Sequence, residues 1–135
     1  NEYEEAYSVI QTSDGGYLVS GHSNSSANGD VTGTSHGQYD FWLLKLSATG
    51  NIQWQRLYGG AGNEMYASIL EASDGGYILM GQSSYSGGTG DVTVSNGNYA
   101  QDCWVVKINA TGNIQWQKLY GKGDESSFLH ITGLT

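Results

Sequence analysis

Proline is absent from these 135 residues, cysteine occurs once, and five lysines and arginines stand against 13 aspartates and glutamates. A single cysteine, Cys103, excludes an intramolecular disulfide. The scarcity of basic residues, with a net charge of -8 and a pI near 4.5, argues against nucleic acid and anionic membrane as partners, since both call for a basic surface. That charge favours solubility. No run approaches the roughly 18 apolar residues of a membrane-spanning helix, so no membrane insertion is expected. No signal peptide remains at Asn1, so an exported protein would be seen here in its mature form. Charged residues make up only 13%, which leaves few good helix builders.

What is present is glycine, 21 residues of it, and aromatics at 12%, a mixture of turn formers and β-formers that predicts an all-β chain. One segment organises the rest. Residues 48–59 read Ala-Thr-Gly-Asn-Ile-Gln-Trp-Gln-Arg-Leu-Tyr-Gly and recur 62 positions later, at 110–121, with Lys118 in place of Arg56. A unit of this period copied in tandem points to solenoids, arrays and propellers. Two copies are too few for an independently stable array, because a repeat unit cannot bury its apolar face alone.

Each copy carries the same punctuation. Residues 6–12 and 66–72 are first strands closed by Ser13-Asp14-Gly15-Gly16 and Ser73-Asp74-Gly75-Gly76, and Asp-Gly between apolar runs is a hairpin signal. Second strands at 17–21 and 77–81 lead into long loops rich in Ser, Asn and Gly, 22–39 and 82–100, of a length usually functional or mobile. Third strands at 41–46 and 103–108, apolar on both faces except for Lys45 and Lys107, read as interior. The turns 48–51 and 110–113 lead to a fourth, half-exposed strand at 52–58 and its copy. Four strands joined as a meander make a propeller blade. The expectation is therefore two four-stranded antiparallel blades, residues 1–60 and 61–121, and one extra C-terminal strand within 122–135, whose Phe128, Leu129 and Ile131 would pair with another chain.

At residues 46–54 and 108–116 the sequence resembles the tryptophan-docking motif of quinoprotein-like β-propellers, in which a glycine turn precedes an outer-strand tryptophan wedged between blades. A broader likeness runs over nearly the whole chain. The succession Asp14-Gly15-Gly16-Tyr17, Gly21, Asp40 with Trp42, Lys45, Gly50, Trp54 and Tyr58-Gly59 is similar to tandem blades of large secreted or cell-surface propeller proteins of bacteria and archaea. The resemblance implies Trp54 and Trp116 buried between blades. It implies no activity, because such repeats mark a scaffold.

Candidate sites are few. Asp30 and Asp91 in the long loops, with Asp40 and Asp102 at their exits, are hard oxygen ligands of the kind calcium takes, although no EF-hand spacing is present. Aspartate beside glycine equally serves turns, and both readings stay open. His22, His36 and His130 share no ligand spacing and read as surface or turn residues. No nucleophile is placed by motif, so no enzyme is expected and no cofactor is implied. The tryptophans and Tyr58 and Tyr120 occupy matched strand positions and read as inter-blade core, with Cys103 a buried small hydrophobe in the place of Phe41. Tyr39, Tyr85 and Tyr99 differ between copies and are the better sugar-stacking candidates. Asn24 and Asn109 head N-glycosylation triplets. Together these features lead us to expect a non-enzymatic extracellular or cell-surface structural protein that assembles with itself into a closed ring or a filament. The alternatives are a glycan- or calcium-binding adhesin-like module and a fragment of a larger surface propeller.

Overall fold

Two kinds of glycine turn, each built twice, set the chain's reversals. Gly15 and Gly75 take positive φ (83° and 78°), and in each turn an aspartate oxygen, Asp14 Oδ1 or Asp74 Oδ1, accepts from the next glycine's amide at 2.9 Å. Gly50 and Gly112 (83° and 87°) close the second kind, which Ser47 Oγ and Asn109 Oδ1 tie down by accepting from the amides of Asn51 and Asn113. A β-carbon at these φ values is strained, which is why glycine recurs there.

The computed structural model describes residues 2–27, 29–84, 88–95 and 101–121. Among them are eight strands and no helix: β1 (Glu4–Gln11), β2 (Tyr17–Ser23), β3 (Asp40–Leu46), β4 (Ile52–Tyr58), β5 (Asn63–Glu71), β6 (Tyr77–Ser84), β7 (Gln101–Ile108) and β8 (Ile114–Tyr120). They form two antiparallel meanders, β1-β2-β3-β4 and β5-β6-β7-β8, so the third strands are interior as the sequence predicts. The first strands start earlier than their apolar residues suggest, because Glu4 and Asn63 still pair with Ser23 and Ser84. β1 and β5 each carry an irregularity, at 6–8 and 65–68, and Tyr66 in the second has φ 62°.

The two sheets pack face to face. Side chains alternate across a strand, so β3 sends Phe41, Leu43 and Lys45 toward the second sheet and Trp42, Leu44 and Leu46 away from it. The shared core takes Leu18, Phe41, Leu43 and Tyr58 from the first sheet and Ala67, Ile69, Tyr77, Leu79, Trp104, Val106 and Ile108 from the second. Phe41 stacks on Trp104 at 5.5 Å between centroids, and Gly81 leaves the room this needs. At about 1.5–3 kcal/mol for each large apolar side chain buried, this junction is the main attraction between the sheets. Hydrogen bonds rim it: Ser20 Oγ donates to the Ala67 carbonyl at 2.5 Å, Ser13 to Glu71, and Tyr58 Oη to the Gly112 carbonyl at 2.7 Å.

Candidate functional site

Several polar residues that recur in both copies are fasteners within the sheets. Lys45, only 3% exposed, directs Nζ to Asp14, to the Leu46 carbonyl and to Gln53, and Lys107 does the same with Asp74, Ile108 and Gln115. The hydrogen bond from Thr12, the Lys45 ammonium and the Gly16 amide hold the Asp14 carboxyl well below its ordinary range. Lys107 and the Gly76 amide likewise lower Asp74. Gln55 accepts from Trp42 Nε1 at 3.0 Å and donates to the Asp30 carbonyl at 2.7 Å, and Gln117 links Trp104 to the Asp91 carbonyl in the same way. Asp30 thus meets the first sheet through its backbone, whereas Asp91 meets the first sheet through its side chain as well, its Oδ2 accepting from the Gly59 amide at 3.3 Å.

The acidic candidates do not gather as one group. Among the described residues no three aspartate, glutamate, histidine or cysteine side chains converge as a metal site would require. Asp40 and Asp91 do meet across the sheet junction, through His36. Its Nδ1 lies 2.9 Å from Asp40 Oδ2 and 3.7 Å from Asp91 Oδ2, and the His36 amide also donates to Asp40 at 2.8 Å. Burial pushes the Asp40 carboxyl up, against the pull of those bonds. Beside this link an open groove of about 490 Å³ runs between β4 and the turn before β8, with Arg56, His36, Asp91 and Asn113 on its walls. Asp102 is buried at the start of β7 and Asp30 is exposed, each apart from that link.

His22 corrects the reading of the histidines as surface or turn residues. It lies on β2, 1% exposed, inside a ring of tyrosines, with Tyr39 at 5.1 Å, Tyr7 at 5.5 Å, Tyr3 at 6.0 Å and Tyr66 at 6.1 Å. Glu5 Oε2 is 3.9 Å from its Nε2, and its buried Nδ1 has no hydrogen-bond partner among the described residues. Burial lowers the imidazole below its ordinary value, against the attraction of Glu5, and the same crowding raises the Tyr7 hydroxyl to about 12. Tyr3, Tyr7 and Tyr66 remain substantially exposed. In the second copy Asn63, Met65, Ala67 and Gln82 stand where Tyr3, Glu5, Tyr7 and His22 do, so the second copy does not rebuild the cluster, to which it contributes Tyr66 alone. That difference between copies was the available signal. It picked out Tyr39, which belongs to the cluster, but missed its strand residues.

The other sequence candidates divide. Trp54 is half-buried against Tyr77 of the second sheet, 6.4 Å between centroids. Trp116 is 46% exposed and Tyr120 58%, where Trp54 is half-buried and Tyr58 buried: within the single chain β8 faces no further sheet among the described residues. Cys103, on that same face, is only half-buried. Asn24 Oδ1 accepts from the Tyr3 amide at 2.7 Å and Asn109 Oδ1 from the Thr111 amide at 3.0 Å, so both glycosylation candidates have a structural role. Tyr85, Tyr99, His130, Phe128, Leu129 and Ile131 lie outside the described residues.

No family model and no curated protein sequence matches the chain.

Proposed function

We propose that the chain is a non-enzymatic structural protein of the cell exterior. In this reading its two sheets are blades of a propeller-like array that is completed by other copies of itself. One observation carries the reading: the second sheet turns to solvent the same side chains that the first sheet buries against it. Trp116 and Tyr120 are exposed, whereas Tyr58 is buried and Trp54 packs on Tyr77. Exposed aromatic side chains gathered on one face mark an interaction surface. The acidic composition accords with a soluble scaffold. Heterologous contacts between copies give rings if the rotation closes and fibres if it does not.

Sedimentation over a range of concentrations, with negative-stain microscopy of the same samples, tests the reading. Mass that rises with concentration, and discs or fibres on the grid, are expected. Particles of 14.5 kDa at every concentration would refute it.

A glycan-binding module is the second reading, favoured by the exposed rings of Tyr3, Tyr7 and Tyr66 around His22. Exposed aromatic faces stack on sugars and are rarely left so clustered. A glycan array separates it from the first reading, because a scaffold returns no hits that Tyr7→Ala abolishes.

A further inference from the structure

The residues that form the junction between the two sheets have repeat counterparts on the two outer faces, and among the described residues those counterparts meet no further sheet. Sheet one presents Trp54, Arg56 and Tyr58 to sheet two, and their repeat counterparts on the far side of sheet two are Trp116, Lys118 and Tyr120. Sheet two receives them with Ile69, Tyr77 and the turn at Thr111 and Gly112. The counterparts of those residues, Val9, Tyr17, Thr49 and Gly50, lie on the far side of sheet one. Both outer faces are apolar and open. Val9 is 62% exposed where Ile69 is buried, and Trp42, Leu44 and Leu46 are half-buried where Trp104, Val106 and Ile108 are fully covered.

We infer that the far face of sheet two is the docking surface for the far face of sheet one of a second copy of this chain, arranged head to tail as the two sheets are within one chain. The inference rests on the self-assembly reading and adds which faces mate. The receiving turn is already shaped for it, because Gly50 has φ 83° and Gly112 has 87°. Its carbonyls are therefore placed to take the Tyr120 hydroxyl and the Lys118 ammonium, as those of Gly112 and Thr111 take Tyr58 and Arg56. The counterparts that differ exchange volume. Cys103 is smaller than Phe41 and Met80 larger than Ser20, and methionine adapts to irregular gaps. Because the two mating faces are different surfaces, the contact is heterologous and leaves one face of each kind free for the next copy.

Two charge insertions test it, one on each face, at residues exposed in the single chain: Trp116→Arg and Val9→Arg. The wild type should gain mass with concentration, and each variant alone should associate about 100-fold more weakly or worse, as for loss of a central aromatic anchor. Mixed, the two variants should form a complex of one copy of each and grow no further, since the intact far face of one meets the intact far face of the other. That mixed complex also shows that both variants are folded. If the wild type assembles and either variant assembles equally well, or the mixture stays monomeric, these faces are not the ones used, and self-assembly itself stands. A wild type that is monomeric throughout overturns both readings. In that case shielding of Trp116 from a solution quencher would assign the face to residues 122–135 of the same chain.

Discussion

The hydroxyl of Tyr58 donates to the carbonyl of Gly112, 2.7 Å away, inside the junction between the two sheets. Burial pushes that hydroxyl's pKa above its ordinary value, so it stays a donor throughout the range in which the protein would be studied. The bond fastens the end of β4 to the turn before β8, and Arg56 reaches the neighbouring Thr111 carbonyl at 3.3 Å. Tyr58→Phe keeps the ring and leaves a buried carbonyl unmet, at a cost of about 1–3 kcal/mol. Tyr120→Phe, the same change on the open face, should leave the stability of the dilute chain unaltered. Paired urea titrations check both, and equal losses would mean that the junction is not as described.

The buried His22 gives stability a pH dependence of known sign. Its folded-state pKa is lowered, chiefly by burial, from an unfolded value of about 6.5. As pH falls through that unfolded value, the unfolded chain takes up a proton that the folded chain resists, so stability drops. His22→Gln, which installs the residue that stands at Gln82 in the other copy, should flatten the stability curve between about pH 6.5 and 5. Identical slopes for variant and wild type over that interval would rule the histidine out as the cause.

Asp14 and Asp74 act at lower pH and also destabilise on acidification. Their folded-state pKa values are depressed, Asp14 mainly by the Thr12 hydroxyl and the Lys45 ammonium, Asp74 mainly by Lys107. Their contribution is present above an unfolded pKa of about 3.9 and is lost as pH falls toward the folded values. Asp14→Asn and Asp74→Asn should each lower the melting temperature at pH 7, where they leave a buried lysine short of its carboxylate. Both should also shrink the loss seen below about pH 4. Melting curves at pH 7, 4 and 3 distinguish this from a general loss of fold.

Turns and strand order were legible because the physics that fixes them is local. Asp14-Gly15 and Asp74-Gly75 can be recognised from two residues, and β3 reads as interior from its own apolar faces. Burial of a particular face is not local. Trp54 and Trp116 sit in segments with the same residues on both sides, yet among the described residues only Trp54 has a sheet against it. By sequence His22 reads as a surface or turn residue, because nothing near it in the chain announces Tyr66, which reaches it from the other sheet. The matched glutamines, too, acquire meaning only when Gln55 and Gln117 are seen joining a tryptophan to a loop carbonyl.

Gly81 lies where the Phe41 ring of the first sheet presses on the second. A β-carbon there would sit 2.7 Å from Phe41 Cζ, 2.9 Å from Cε1 and 2.7 Å from the Met65 carbonyl oxygen. Overpacking of this kind costs about 1–3 kcal/mol. Gly81→Ala should therefore destabilise, and combining it with Phe41→Leu should cost less than the sum of the two single changes, because the smaller side chain gives way. Strict additivity in the double-mutant cycle would show that the backbone contact with Met65, and not the ring, sets the limit.

The two outer-strand tryptophans give the sharpest contrast, since sequence alone assigns them the same cost. Trp54 packs on Tyr77 across the junction and is half-buried, so Trp54→Ala removes contacts that the single chain makes. A loss of about 3 kcal/mol is expected, at the lower end of the range for large aromatic truncations because part of the ring already meets water. Trp116 makes no such contact with a following sheet among the described residues and is 46% exposed. Its truncation should change the stability of the dilute chain by no more than about 0.5 kcal/mol, as at an ordinary surface position. At concentrations where the wild type associates, the two variants should exchange rank in a second measurement. Trp116→Ala should then lower the sedimenting mass more than Trp54→Ala does once both are compared at equal fractions folded. A Trp116→Ala variant that loses several kcal/mol while monomeric would mean that its ring is covered within the single chain, and the open face would have to be sought elsewhere on the molecule.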